Sequence, residues 1–185
     1  MGEEEYGAAY WTTHCGPIPY GRTLPWLQHF GRIANEIMFR WRPRTVWDVG
    51  CGWGLLVEAL RDRGIAAGGC DLSAYALAQA RPDIRPYLQH ASLLTLAPRR
   101  VDLVCAIEVL EHLPAADARP AVQRLTAWAP RVLFSASPDD VTEPTHRNVQ
   151  PPAYWDALFA EQGYGVEEAP ALWVSPWARV YVGPS

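Results

Sequence analysis

The 185-residue sequence contains no apolar stretch approaching the length of about 18 residues that a transmembrane helix needs, so we expect no membrane span. It begins with an acidic stretch and lacks the basic and apolar regions of a secretory signal, which favours a cytoplasmic protein. Lysine is missing altogether, and the 16 basic residues, all arginine, are outnumbered by 20 acidic ones. The resulting net charge of −4 provides no basic surface, and we expect no nucleic-acid partner.

The rest of the composition is typical of one folded domain. Hydrophobic residues make up 49% of the chain, which excludes a disordered protein. The nine tryptophans either line a substrate cleft or fill the core. The four cysteines have no CxxC spacing, and Cys51, Cys70 and Cys105 lie in apolar runs where we expect them to be buried. Cys15 is either a passive side chain or a nucleophile or metal ligand.

Hydrophobic periodicity divides the chain into an N-terminal segment, 1–43, and a longer region of alternating strands and helices, 44–185. The segment is aromatic and rich in turn residues up to residue 23. Apolar residues then recur at a spacing of three and four, which predicts an amphipathic helix over 25–41, ended by Pro43.

The region after the helix alternates between two kinds of element. The predicted strands are 45–49, 65–70, 84–89, 101–107, 131–135, 164–169 and 178–182, and the predicted helices are 55–63, 74–80, 114–128 and 152–162. Pro120 is expected to kink or shorten its helix, and 137–150 is predicted to be a loop. Apolar strands that alternate with helices predict an α/β fold with a doubly wound parallel sheet.

A glycine-rich turn joins the first of these strands to the helix after it. Asp48 precedes the turn, and Gly50, Gly52 and Gly54 let the backbone approach a ligand closely. Asp71 ends the next strand, where a carboxylate can accept both ribose hydroxyls of a nucleoside. A dinucleotide site would need more space between the second and third glycines, and Asp48 would repel a pyrophosphate. The pattern therefore favours a nucleoside with an ammonium group over a dinucleotide, whereas the glycines alone also fit a plain tight turn.

The run from Asp48 to Gly54 resembles motif I of the class I S-adenosylmethionine-dependent methyltransferases, and the resemblance extends over residues 44–182. It implies a Rossmann-like, doubly wound, seven-stranded sheet with one antiparallel strand, which binds the cofactor at the carboxyl ends of the strands. It assigns Asp71 to the ribose and places Ser92 and Leu93 by the adenine, although the acid common there is absent. The full set of implied cofactor contacts in this region is Asp48, Gly50, Cys51, Gly52, Asp71, Leu72, Ser92, Leu93 and Glu108.

Two acids and a histidine follow the predicted strand 101–107. If Glu108, Glu111 and His112 open a helix, they share one face of it. Three interpretations stay open: an acid faces the bound ligand, the acids simply favour a helix N-terminus, or the group holds a divalent metal. The spacing, with the later His146, resembles the magnesium or manganese site of small-RNA 3′-terminal 2′-O-methyltransferases.

The same Glu-x-x-Glu-His spacing is similar to that of ubiquinone-biosynthesis O-methyltransferases. The resemblance implies Glu108, Glu111, His112 and His146 as ligands of Mg or Mn. Without a metal, His112 or His146 is the candidate general base, because imidazole titrates near neutral pH. Each histidine alone also fits a hydrogen-bonded structural role.

The aromatic run 10–20, with the helix after it, is similar to the lids that close such sites in small methyltransferases. A lid excludes water and supplies aromatic walls. Tyr10, His14 and Tyr20 are then candidate contacts to cofactor or substrate. The alternative is a segment that only packs on the sheet edge.

Taken together, the resemblance implies transfer of the methyl of S-adenosylmethionine to a small-molecule acceptor. The chain looks like short bacterial methyltransferases whose acceptor is often a hydroxyl of a sugar or natural-product intermediate. Two alternatives keep the cofactor: a cyclase or lyase that consumes S-adenosylmethionine, or a non-catalytic subunit that only binds it.

Overall fold

The computed structural model describes residues 3–15, 18–167, 171 and 173–184. The chain divides into two units, residues 1–92 and residues 93–185. Within the described residues, no helix is long and apolar enough to span a membrane.

The first unit combines an N-terminal helical segment with three parallel strands. Its helices and strands are Ala8–Thr13 (α1), Leu24–Trp41 (α2), Thr45–Val49 (β1), Leu55–Arg61 (α3), Ala66–Asp71 (β2), Ala74–Gln79 (α4) and Leu88–His90 (β3). β2 pairs in parallel with both β1 and β3, with Val49 opposite Cys70 and Asp71 opposite His90. The carboxyl ends of the three strands therefore lie side by side at one edge.

Local sequence explains most of these boundaries. The amphipathic face of α2 buries Ile33 and Ile37 completely, and the helix ends before Pro43, as predicted. The predicted third strand, 84–89, is wrong over its first half, because Pro86 lies in a 3-10 turn, Arg85–Tyr87, and strand pairing begins only at Leu88.

The second unit holds the other four strands. Its elements are Leu103–Ile107 (β4), Ala115–Trp128 (α5), Arg131–Ser135 (β5), Pro152–Ala160 (α6), Gly165–Val166 (β6) and Arg179–Val182 (β7). β4 and β5 are parallel, and β7 runs antiparallel to both β5 and β6, so the last two strands pair with each other. Residues 168 and 169 of the predicted strand 164–169 lie outside the described residues. Pro120 does not shorten α5, which continues to Trp128.

The strand order is β3-β2-β1-β4-β5-β7-β6. Within the second unit β7 alone runs against the other strands, and the predicted Rossmann-like α/β fold with a seven-stranded sheet and one antiparallel strand is confirmed. Cys51, Cys70 and Cys105 are buried, as their apolar surroundings predict, and Cys15 is half-buried. The long loop 137–150 is also confirmed, with no helix or strand assigned to it.

Candidate functional site

The glycine turn after β1 has a backbone that side chains rarely tolerate. Gly50, Gly52 and Gly54 all have positive φ, between 53° and 69°. At Gly52 a Cβ atom would also lie 2.9 Å from the ring of Trp11, which is closer than real Cβ contacts. Glycine at residue 52 is therefore required both by the turn and by the aromatic side chain above it.

The predicted ribose-binding acid lies against this turn. One carboxylate oxygen of Asp71 accepts a hydrogen bond from the Gly52 N–H, and the other accepts one from the Ser73 N–H, both at 2.8 Å. Burial raises the pKa of Asp71, and these backbone hydrogen bonds oppose the rise. Each oxygen keeps a second lone pair that can accept a hydroxyl from a ligand. The structure thus brings together two elements that lie 19 residues apart in the sequence.

Asp48 is the second acid of this unit, and only 5% of it is exposed. Burial raises its pKa well above the usual value, and the charge of Asp71 raises it further. Burial also raises the pKa of the Tyr20 phenol well above its usual value, and Asp48 is the next cause. A buried carboxylate is costly unless a cation pairs with it. This group is therefore suited to a ligand that brings a positive charge.

The N-terminal segment covers the glycine turn through Trp11. The buried indole of Trp11 packs on Gly52, and its N–H donates to the Tyr6 carbonyl at 3.0 Å. The Ser73 hydroxyl donates to the same carbonyl at 2.6 Å and caps α4 by accepting from Ala76. Ser73 therefore joins the segment to the turn that carries Asp71.

Tyr10 and His14, the predicted lid contacts, stack on each other with ring centroids 6.0 Å apart. The Tyr20 ring lies 5.0 Å from that of Trp11, so the third predicted lid residue shares its aromatic cluster. Trp11 and Ser73 were not among the predicted site residues. The signal for Trp11 was its place beside Tyr10 in the aromatic run.

An ion-pair network fixes the chain between α1 and α2. Arg22 makes a two-point contact with the buried Glu58 of α3, at 3.0 and 2.7 Å. Arg81 approaches the same carboxylate at 3.3 Å and also pairs with Asp62. Because Glu58 is only 5% exposed, the Arg22–Glu58 ion pair anchors the segment near Tyr20 more firmly than a surface ion pair would.

The remaining predicted contacts have simpler surroundings. Leu72 is half-buried, and its carbonyl lies 3.0 Å from Nε2 of His90. Ser92 is half-buried, and Leu93, the first residue of the second unit, is buried. Their assignment to a ligand stays a prediction.

In the second unit, the segment after β4 is not the α-helix that was expected. Glu108 has a φ of 53°, a 3-10 turn covers Leu110–His112, and Leu113 is extended ahead of Pro114. The shared helical face predicted for Glu108, Glu111 and His112 is therefore wrong. Proline disfavours helical backbone in the residue before it, and Pro114 was the sequence signal for this outcome.

Glu108 and Glu111 nevertheless remain close. The Glu108 carboxylate accepts a hydrogen bond from the Trp177 indole at 2.8 Å, and Glu111 accepts one from the Ser137 N–H at 3.0 Å. Burial raises the pKa of the fully buried Glu111 well above its usual value, and the Glu108 charge adds to the rise. In the described part of the chain, no donor reaches the second oxygen of Glu111. This oxygen is suited to a cation or a proton.

Two histidines complete the cluster. The rings of His112 and His146 lie 4.7 Å apart between centroids. One ligand atom each from Glu111, His112 and His146 falls within 4.8 Å of the others, a spacing compatible with a single metal ion. Of the four predicted ligands, the described residues bring three together. Glu108 lies outside that group and is bonded to Trp177.

Comparison with known proteins finds similarity to methyltransferases. Residues 47–129 match the model of a methyltransferase domain. A ubiquinone biosynthesis O-methyltransferase of Nitrosomonas europaea is 39% identical over 111 residues, 55% of this chain and 47% of that protein. One from Azoarcus is 42% identical over 79 residues, 38% of this chain and 34% of that protein. The chain thus spans less than half the length of these curated relatives.

Solved structures agree on the fold. The magnesium protoporphyrin IX methyltransferase of Synechocystis, with bound S-adenosylhomocysteine, gives a TM-score of 0.68 at 19% identity, covering 85% of this chain and 83% of that one. A sugar N-methyltransferase of Streptoalloteichus gives 0.66 at 16% identity, covering 86% and 87%. At these identities the likeness establishes the fold, and the different acceptors leave the substrate open.

Proposed function

We propose that the protein is a class I S-adenosylmethionine-dependent methyltransferase and transfers the methyl of S-adenosylmethionine to a small-molecule acceptor, a proposal that the match of residues 47–129 to the model of a methyltransferase domain supports. The observation that carries the proposal is the hydrogen bond from the Gly52 N–H to Asp71, which places the glycine turn and the ribose acid in one site. The proposal includes the division of the chain into a lid segment, 1–43, and a cofactor-binding domain, 44–185.

The first unit supplies the groups that would hold the cofactor. Each carboxylate oxygen of Asp71 uses one lone pair for a backbone N–H, and the remaining lone pairs accept the ribose hydroxyls. Asp48, buried and without a cationic partner among the described residues, pairs with the ammonium group. Trp11 and Tyr20 exclude water from the glycine turn.

Other predicted contacts remain part of the proposal. Tyr10 and His14 extend the aromatic wall, and Leu72 and Ser92 complete the first unit's share of the contacts. Leu93 and Glu108 of the second unit are assigned to the same cofactor by the family resemblance alone.

The reaction is an in-line displacement. When bound, S-adenosylmethionine supplies a methyl on a positively charged sulfur, and the acceptor oxygen displaces the sulfur as a neutral thioether. Much of the rate enhancement comes from holding nucleophile, methyl and sulfur collinear. The acceptor loses one proton, and His112 or His146 takes it at a ring nitrogen.

The acidic and histidine cluster also fits a divalent cation. Glu111 offers a buried oxygen that no described donor reaches, and His112 and His146 add nitrogen ligands close by. An oxygen and two nitrogens are a donor set that manganese accepts readily and magnesium less so. A bound ion would lower the pKa of the acceptor hydroxyl. We propose Glu111, His112 and His146 as its ligands, with Glu108 held beside them.

We propose a hydroxyl as the acceptor group, borne by a sugar or natural-product intermediate. The O-methyltransferase names of the curated relatives support oxygen over nitrogen as the nucleophile. The sugar N-methyltransferase among the structural neighbours supports only that the fold accommodates a sugar.

Product analysis tests the proposal. Purified protein is incubated with S-adenosylmethionine, manganese or magnesium, and panels of hydroxylated and amine acceptors, and the nucleoside product is identified by mass spectrometry. S-adenosylhomocysteine together with a methylated hydroxyl confirms the proposal. Methylthioadenosine would show a lyase or cyclase, and tight binding without turnover would show a cofactor-binding subunit. Turnover that survives EDTA would remove the metal and leave the histidines as bases.

A further inference from the structure

The loop after β5 brings two further side chains to His112. Nδ1 of His112 lies 3.0 Å from the Thr145 hydroxyl oxygen and 3.3 Å from the Thr145 carbonyl oxygen. The same hydroxyl donates to the Glu143 carboxylate at 2.9 Å. The Thr145 N–H donates to that carboxylate at 3.1 Å, which fixes the geometry of the pair. A chain of hydrogen bonds therefore runs from Glu143 through Thr145 to His112.

The chemistry of these partners decides which ring nitrogen carries the hydrogen. A carboxylate has no hydrogen to give, so the Thr145 hydroxyl hydrogen points at Glu143. The hydroxyl oxygen can then only accept from Nδ1, and the Thr145 carbonyl can only accept as well. Both contacts of Nδ1 thus require an N–H at this atom. The neutral imidazole of His112 consequently carries its lone pair on Nε2.

His146 reaches the same tautomer by a different route. Its Nδ1 lies 2.7 Å from the backbone carbonyl oxygen of Asp140, which is an obligatory acceptor. No side-chain substitution can remove that carbonyl. Nδ1 of His112 also faces a backbone carbonyl, that of Thr145, but at 3.3 Å rather than 2.7 Å. The tautomer of His112 therefore depends more on side chains, first on Thr145 and then on Glu143 behind it.

We propose that Thr145 and Glu143 are positioning residues that hold His112 as its Nδ1–H tautomer and so present the Nε2 lone pair to the acceptor proton or to a divalent cation. The catalytic use of Nε2 rests on the proposed function, whereas the tautomer rests only on the hydrogen bonds. Residues that orient a histidine ligand in this way typically change metal affinity or activity by 10- to 100-fold when substituted.

Four variants separate the tautomer from general damage to the fold. Thr145→Val keeps the shape of the side chain and removes the hydroxyl, and Thr145→Ser restores it. Glu143→Met removes the acceptor, which frees the Thr145 hydroxyl to donate to His112. Thr126→Val is the matched control, because the hydroxyl of this threonine donates only to backbone carbonyls within α5 and lies outside the cluster.

Long-range 1H–15N spectra of the full chain with labelled histidine report the tautomer directly. We expect the Nδ1–H form for His112 in the unchanged protein, in Thr145→Ser and in Thr126→Val. We expect a mixture with the Nε2–H form in Thr145→Val and in Glu143→Met. Manganese affinity, measured with the metal alone, and kcat should fall about 10-fold in these two variants.

Two results would overturn the inference. One is a dominant Nε2–H form of His112 in the unchanged protein. This measurement does not depend on whether any variant folds. The other is a Thr145→Val spectrum identical to that of the unchanged protein. If the unchanged protein neither turns over nor binds manganese, the proposed function fails, while the spectra still decide the tautomer.

Discussion

Replacement of Asp48 by asparagine should make the cofactor-free protein more stable and at the same time weaken cofactor binding. The side chain is 5% exposed, and burial raises its pKa well above the ordinary value, with the Asp71 charge adding to the effect. An ionised carboxylate in such a place costs free energy until a cation pairs with it. Asparagine keeps the size of the side chain and removes that charge.

The sign of the pH dependence follows from the raised pKa. An acid whose pKa is higher in the folded protein favours folding at low pH, where it is protonated in both states. That contribution is lost as the pH rises from about 4 through the pKa of the folded state. The advantage of Asp48→Asn over the unchanged protein should therefore grow across this window. We expect it to reach about 1–2 kcal/mol, typical of charge removal at a strained functional site.

Thermal or denaturant unfolding between pH 4 and pH 9 measures the effect. In a chain of this size, each kcal/mol of added stability should raise the Tm by about 2–4 °C. Cofactor binding should change in the opposite direction. Calorimetric titration should show that the affinity of Asp48→Asn for S-adenosylmethionine is reduced roughly 10- to 100-fold, because one charged hydrogen-bond partner is lost. Asp62→Asn is the control, because Arg81 holds the pKa of Asp62 below its usual value. This variant should lose a little stability and keep its cofactor affinity. A cofactor-free Asp48→Asn protein that is less stable than the unchanged chain at pH 8 would refute the reasoning.

Three further substitutions test the same unit. Asp71→Ala should weaken S-adenosylmethionine binding by about 2–3 kcal/mol, since a charged acceptor is lost, and unchanged calorimetric affinity would rule out its ribose role. Glu58→Gln should lower the free energy of unfolding by about 1–2 kcal/mol, because Arg22 and Arg81 lose their shared carboxylate but can still reach water; a denaturation midpoint equal to that of the unchanged protein would contradict this. Ser73→Ala should cost about 1–2 kcal/mol through the lost cap of α4 and the lost bond to Tyr6, and denaturation without any change would show that neither bond contributes.

Strand positions were the most predictable feature of the fold. Thr45–Val49 and Arg131–Ser135 have the predicted bounds, because each is an apolar run limited by proline or by turn residues. The Asp71 position was predictable for a similar reason, since parallel strands bring their carboxyl ends to one edge. In these cases a local pattern and the overall topology lead to the same answer.

The cluster after β4 was less predictable. Glu108, Glu111 and His112 have a helical spacing, but Pro114 disfavours helical backbone at Leu113 and so interrupts a helix that would begin after the strand. The chain makes a 3-10 turn instead, and His146 joins from a loop 34 positions beyond His112. Partners such as Trp177 and Thr145 come from equally remote segments without regular structure. A single sequence has no periodicity that signals such contacts.

The left-handed backbone at Glu108 has a consequence for laboratory evolution. A residue with a Cβ in that region costs about 1 kcal/mol or more relative to glycine. A library randomised at this codon and screened for heat resistance alone should enrich glycine and asparagine. The same library screened for turnover should keep the acid, and the divergence of the two populations would measure how strongly the reaction constrains this residue.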